Sequence, residues 1–181
     1  MTDAACHDPA PTAAPARGEA KGEAKLDAKI DAQSDAHIVL AGNPNVGKST
    51  LFNALTGSSA KVSNYPGITV DTARGALALP GGRRGALHDL PGTYSTNARS
   101  AEEQIALDAL LGLDGAPTPD AVIVCVDATA VARSAYLLLQ CQELGARCVV
   151  ALTMVDEAGG AAPSPRALAA ALGCEVVPVT A

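Results

Sequence analysis

From His37 onward, short apolar runs alternate with stretches whose apolar residues recur every three or four positions, and Gly or Pro residues separate the two patterns. The runs predict strands over 37–42, 72–79, 85–89, 121–127, 148–153 and 175–179, and the longer periods predict helices over 48–55, 100–111, 131–144 and 164–172. Strands alternating with helices imply an α/β fold: a mostly parallel six-stranded sheet with helices on both faces. Pro80-Gly81-Gly82 is a turn signal between the second and third runs, so these two are expected as an antiparallel hairpin at one edge. Along 131–144 the expected inward stripe is Val131, Ala135, Leu138 and Leu139, and Gly145 and Gly173 follow two of the helices as stops. A sheet of this kind takes its ligand at the carboxyl ends of its strands.

Residues 1–36 do not share the pattern. Ala, Pro, Lys, Asp and Glu dominate there, and Leu26 and Ile30 alone bury too little to repay ordering, so the segment is expected as a disordered charged tail ahead of a domain at 37–181. A length of 181 residues with 48% hydrophobic content suits one domain with a real core. The net charge of -6, with no basic cluster and almost no aromatic residues, argues against binding nucleic acid. The longest apolar runs, 121–126 and 148–152, are strand-sized and well short of the roughly 20 residues of a membrane span, so no direct membrane insertion is expected. The five cysteines (Cys6, Cys125, Cys141, Cys148, Cys174) are scattered without metal-ligand spacing, and the N-terminus has no apolar signal core. They read as small apolar core residues in a reducing cytoplasmic setting.

Chemistry enters at Gly42-Asn43-Pro44-Asn45-Val46-Gly47-Lys48-Ser49, which fits the phosphate-binding P-loop between a predicted strand and a helix whose first turns hold Thr50 to Leu55. Glycines allow the backbone to wrap an anion, amide N–H groups and the helix N-terminus point at it, Lys48 reaches the outer phosphates, and the Ser49 hydroxyl suits Mg2+. Asp89-Leu90-Pro91-Gly92 ends another strand. There Asp89 is expected to hold a Mg2+-bound water and the Gly92 N–H to meet a terminal phosphate. Thr153-Met154-Val155-Asp156 ends a third: the Asp156 carboxylate can accept from both N1–H and N2–H of guanine, which adenine does not offer, and the Met154 stem can cover a purine face. Thr180 and Ala181 stand where a backbone N–H would face the guanine O6.

Together these segments resemble the GTPase domain of the ferrous iron transport protein B (FeoB) family. The resemblance rests on 42–57 (GNPNVGKSTLFNALTG), 62–71 (VSNYPGITVD), 89–95 (DLPGTYS), 102–106 (EEQIA), 127–129 (DAT), 136–140 (YLLLQ), 150–158 (VALTMVDEA) and 172–174 (LGC), and covers nearly all of 37–181. It implies a Ras-like fold, Thr69 as a switch-loop Mg2+ ligand beside Ser49 and Asp89, and slow hydrolysis, because Thr93 and Tyr94 stand where a water-orienting glutamine would be. It also implies a K+ ion held partly by Asn45, with Asn45, Lys48, Thr69 and Gly92 forming the catalytic set. Three departures stand out: Thr153 replaces the family's asparagine, the charged tail is longer, and the chain ends before the C-terminal helix and the membrane-embedded iron-transport region.

The expected activity is therefore a GTPase of low intrinsic rate binding GTP/GDP, Mg2+ and K+, at the cytoplasmic face of the inner membrane if joined to a transporter. Two other readings fit part of the pattern. One is a guanine-nucleotide module that does not hydrolyse, and the other is an Era-like ribosome-assembly GTPase, whose basic RNA-binding appendage is missing here.

Overall fold

The computed structural model describes residues 34–57, 61–64, 71–94, 104, 108–110, 112 and 117–180. Strand β1 (Ala36–Gly42) leads into helix α1 (Lys48–Thr56), and β2 (Lys61–Asn64), β3 (Asp71–Ala78) and β4 (Arg84–Asp89) follow. The second half runs β5 (Ala121–Asp127), α2 (Val131–Glu143), β6 (Cys148–Thr153), the single turn α3 (Val155–Ala158), α4 (Pro165–Leu172) and β7 (Glu175–Pro178). Gln104 and residues 108–110 are also helical, within the stretch expected as a helix.

All strands join one sheet in the order β2-β3-β4-β1-β5-β6-β7. The pairs β2/β3 and β3/β4 are antiparallel, and β1 runs parallel to both β4 and β5. The Ras-like α/β class and the antiparallel hairpin are thus as expected. The hairpin is not itself the edge, however, because Lys61–Asn64 adds a seventh strand outside it. Four residues with a single aliphatic side chain give no alternation to read. The tail expected over 1–36 lies outside the described residues up to 33, and β1 begins at Ala36.

Period-two alternation divides the central strands between two cores. On one face Ile38, Leu40, Leu87 and Cys125 pack with Val46, Leu51 and Phe52 of the α1 side. On the other, Val39, Ala41, Val122, Val124, Val126, Val150 and Leu152 meet Leu137, Leu138 and Cys141 of α2, together with Ala109 and Leu110. The inward stripe of α2 differs from expectation at one position: Leu139 is 46% exposed while Leu137 is fully buried. At about 100° per residue, positions 134, 137, 138 and 141 share a face that leaves 139 on the solvent side with Tyr136.

The hydrophobic pattern also did not reveal His88 and Arg74, cross-strand partners that are both buried. Burial, followed by the charges of Arg74 and His37, pushes His88 down to about 3, so the imidazole is neutral at physiological pH. Its ring stacks on that of His37 at 6.3 Å between centroids.

Helix α1 is seated by a close approach. A Cβ at Gly75 of β3 would lie 2.5 Å from Cγ2 of Thr56, whose hydroxyl donates to the Phe52 carbonyl at 2.8 Å in the last turn of α1. Gly75→Ala is accordingly expected to lower unfolding free energy by about 2 kcal/mol, through displacement of that turn. Urea denaturation of the two proteins measures it, and an unchanged midpoint would contradict the close seating.

Candidate functional site

The carboxyl ends of β1, β4, β5 and β6 converge on one edge of the sheet. Residues 43–47 leave β1 in a turn with Asn45 at φ 62 and Gly47 at φ 78, both left-handed, before α1 begins at Lys48. Asn tolerates this region better than most L residues, and Gly has no Cβ to resist it. The N-terminus of α1 carries no side-chain cap, which leaves its first N–H groups facing the loop as anion donors. Beneath the turn, a Cβ at Gly42 would stand 3.0 Å from that of Cys125, so the loop rests directly on β5. Burial pushes the Cys125 thiol up to about 12 and keeps it an inert part of the floor.

Lys48 reaches across to β4. Its ammonium pairs with the Asp89 carboxylate and donates to the Leu90 carbonyl at 2.6 Å, while Ser49 Oγ lies 3.4 Å from the other Asp89 oxygen. Asp89 is 8% exposed, and burial pushes its carboxyl up, only partly offset by Lys48 and Ser49. The segment after β4 is tied back to the loop: Thr93 N donates to the Gly42 carbonyl at 3.1 Å, and a Cβ at Gly92 would meet Pro44 at 3.1 Å. Pro44, Asn45, Gly47, Lys48, Ser49, Thr50 and Gly92 line a cavity of about 630 Å³.

The third wall comes from β6. Thr153 is 4% exposed, and its hydroxyl donates to the Val126 carbonyl at 3.2 Å. Met154 is left-handed at φ 54, and its methyl lies 3.5 Å from the position a Cβ would take at Gly47. Asp156 is exposed in the first turn of α3. Beyond β7, Val179 N donates to the Leu152 carbonyl at 2.9 Å, and Thr180 follows, exposed.

Of the residues expected from sequence, 42–50, Asp89, Gly92, Thr153, Met154 and Asp156 thus lie along one edge. Val46 differs in turning its side chain into the core beside Phe52, and Asn43 is 2% exposed with neither amide atom hydrogen-bonded. Thr69 and Ala181 lie outside the described residues. Sequence reasoning did not single out the Leu90 carbonyl or the contact of Pro44 with Gly92. It also predicted no turn at 127–129, where Asp127 accepts from Thr129 N at 2.8 Å and from its hydroxyl at 2.6 Å at the end of β5. An Asp two residues before a Thr at a strand end is an Asx-turn signal, and could have found this one.

Among the described residues no group of three or more His, Cys, Asp or Glu side chains gathers to hold a metal ion, and no helix is long and apolar enough to cross a membrane. Comparison with known proteins agrees with the geometry. The family model of ferrous iron transport protein B matches residues 36–181. The Fe(2+) transporter FeoB of Escherichia coli (strain K12) is 44% identical over 148 residues, which are 78% of this chain but 18% of that protein. The corresponding protein of Methanocaldococcus jannaschii is 48% identical over 109 residues, 60% of this chain and 16% of that protein. The chain therefore spans about a sixth of the length of these curated relatives.

Among solved structures, the G domain of the T. maritima FeoB iron transporter superposes with a TM-score of 0.71 at 41% identity, covering 80% of this chain and 87% of that one. The cytosolic domain of the same transporter in a GDP form gives 0.72 at 40% identity, covering 80% of this chain and 56% of that one. With a family match that runs from the first residue of β1 past the last strand, the chain belongs to the ferrous iron transport protein B family and carries its G-domain fold.

Proposed function

We propose that this chain binds GTP with Mg2+ and hydrolyses it slowly, with help from K+, as the switch domain of a bacterial ferrous iron uptake system. The observation that carries the reading is the contact between the phosphate loop and the β6 loop: Gly47 lies against Met154 and Thr153. A nucleotide whose phosphates sit on 43–49 would therefore have its base beside 154–156. GDP-bound structures of relatives support a guanine nucleotide.

In this reading the loop amides and Lys48 hold the phosphates. On binding, the ammonium exchanges its pairing with Asp89 and its bond to the neutral Leu90 carbonyl for phosphate oxygens, which form charge-assisted bonds of the same kind as a carboxylate. Ser49 and Asp89 fit Mg2+: a hydroxyl and a carboxylate already 3.4 Å apart are hard oxygen donors of the kind that ion takes alongside phosphates. Thr69 is the proposed third protein ligand. When bound, Mg2+ and K+ neutralise charge developing on the phosphates. Asn45 supplies a hard amide oxygen at an exposed, left-handed turn position, which suits a K+ ligand. The Gly92 N–H is the proposed donor to the terminal phosphate; its lack of a side chain, which lets the strand end pack on Pro44, supports this.

Slow turnover follows from what stands after Gly92. Thr93 is 1% exposed with its amide bound to Gly42, so it turns no group toward an attacking water, and Tyr94 is exposed. Asp156 selects guanine through its two N–H donors, with Met154 against the purine face and the amides at Thr180 and Ala181 near O6. In our reading such a domain works at the cytoplasmic face of the inner membrane, joined to a membrane-embedded iron-transport region, and the greater length of the Fe(2+) transporter relatives supports this. No nucleic-acid partner is proposed.

Turnover of GTP is expected to be several-fold faster in KCl than in NaCl at equal ionic strength. Asn45→Gly, which removes the amide while keeping the left-handed turn accessible, should abolish that difference. Equal rates in the two salts for the unaltered chain would sink the K+ role. For base selection, Asp156→Asn replaces an acceptor with a donor and should weaken GTP binding by about 100-fold or more while improving binding of xanthosine triphosphate, whose C2 carbonyl accepts. Titration with fluorescent analogues of both nucleotides measures this, and an unchanged preference for GTP would remove Asp156 from the base site.

A further inference from the structure

At the carboxyl end of β5, a turn outside the proposed binding set is bonded to the loop proposed to read the base. Asp127 accepts from the Thr129 amide at 2.8 Å and from its hydroxyl at 2.6 Å, which closes an Asx turn. The backbone of the turn is anchored as well: Asp127 N donates to Ser134 Oγ at 3.3 Å in the first turn of α2, and Ala130 N donates to the Asp127 carbonyl at 3.1 Å. Ser134 is 1% exposed, so this anchor is shielded from water.

Toward β6 the turn bonds the residue from which the base loop starts. Asp127 and Thr153 are partners in the β5/β6 ladder, and Ala128 N, inside the turn, donates to the Thr153 carbonyl at 3.0 Å. Thr153 is thereby held twice, because its hydroxyl donates to the Val126 carbonyl at 3.2 Å. The fixed carbonyl sets the peptide plane on which Met154 begins. Met154 is left-handed at φ 54, and Ala158 N donates to its carbonyl at 3.0 Å, which closes the single turn α3 that carries Asp156. A series of hydrogen bonds thus runs from Asp127 through Ala128 and Thr153 to the turn that holds Asp156.

We propose that Asp127, together with Thr129, is a positioning residue for guanine recognition: the Asx turn aims the Ala128 N–H, and through the Thr153 carbonyl it sets the place of the Asp156 carboxylate. The inference rests on the reading of Asp156 as the guanine selector. Asp127 acts through the loop and not on the nucleotide. The need for such a support is physical. A carboxylate reads guanine only while its oxygens meet N1–H and N2–H together, and hydrogen bonds weaken steeply as alignment is lost. Helix α3 is four residues long, with no side-chain cap and no buried residue, so its own packing does not hold Asp156. The Met154 methyl, 3.5 Å from the place of a Cβ at Gly47, limits only the separation of the two loops, whereas the bond from Ala128 is directional.

Equilibrium titration of the full chain with fluorescent guanosine and inosine diphosphates tests this. Inosine lacks the 2-amino group, so the ratio of the two dissociation constants reads the alignment of the Asp156 carboxylate, whereas a looser phosphate loop or a less stable fold weakens both nucleotides alike. The unaltered chain is expected to prefer the guanosine nucleotide by about tenfold or more. Asp127→Ala, which removes the acceptor of both Thr129 donors, should cut that preference to about twofold, and Asp127→Asn, which keeps an oxygen acceptor, should restore most of it. Thr129→Val removes only the hydroxyl donor at an exposed position and should give an intermediate ratio, which keeps the test independent of whether Asp127→Ala folds. An undiminished preference in Thr129→Val and Asp127→Ala, or an Asp127→Asn ratio no better than that of Asp127→Ala, would overturn the proposal while leaving the role of Asp156 standing. Equal affinity of the unaltered chain for the two nucleotides would overturn the Asp156 reading and this inference with it.

Discussion

The pairing of Lys48 with Asp89 is the interaction on which the rest of the site is hung. Lys48 is the first residue of α1 and Asp89 the last of β4, and their side chains are only 11% and 9% exposed. Neither charge could be buried alone at tolerable cost, so each fixes the other, and with it the angle between the helix and the strand end. The pair is also poised rather than final. Burial still pushes the Asp89 carboxyl up despite the ammonium beside it, so the carboxylate has capacity for a further cation. The Leu90 carbonyl and Ser49 hydroxyl complete a polar group that magnesium and phosphate could divide between them.

Around that pair, packing does the positioning that side-chain chemistry alone could not. Three close contacts of the phosphate loop are made at glycines: Gly42 on Cys125, Gly47 under Met154 and Thr153, and Gly92 against Pro44. A side chain at Gly42 or Gly92 would push against these walls, while at Gly47 it is the left-handed backbone that excludes one. The loop geometry is therefore set as much by what is missing from these positions as by the residues that contact a ligand.

Much of this was legible in the sequence, and the misses have physical causes. Central strands such as 121–127 and 148–153 are apolar on both faces and bounded by turn residues, so length and composition identify them. The candidate site residues stood out because their types recur at motif spacings, and the structure brings most of them to one edge of the sheet. Lys61–Asn64 was missed because edge pairing rests on backbone hydrogen bonds to β3 rather than on any side-chain pattern. Leu139 was misplaced because a helix face read from spacing alone is uncertain by one residue. His88 and Arg74 were missed for a different reason: burial of a polar residue is decided by its neighbours in space, here across β3 and β4, and leaves no trace in local composition.

Thr153 brings these strands of argument together. Where the family carries an asparagine, whose amide could bond both the phosphate loop and the base, Thr153 spends its hydroxyl inward on the Val126 carbonyl and sets its methyl 4.0 Å from the place of a Cβ at Gly47. The link between the β6 loop and the phosphate loop is thereby kept, but as van der Waals contact instead of a hydrogen bond. Such a contact holds the two loops at a fixed separation without reading the nucleotide. In the proposed reading, discrimination among bases then rests chiefly on Asp156, on a one-turn helix entered through a strained left-handed Met154. The left-handed turn at Met154 brings its methyl to the phosphate loop and starts the helix that carries Asp156, so the strain at that residue sets where both fall.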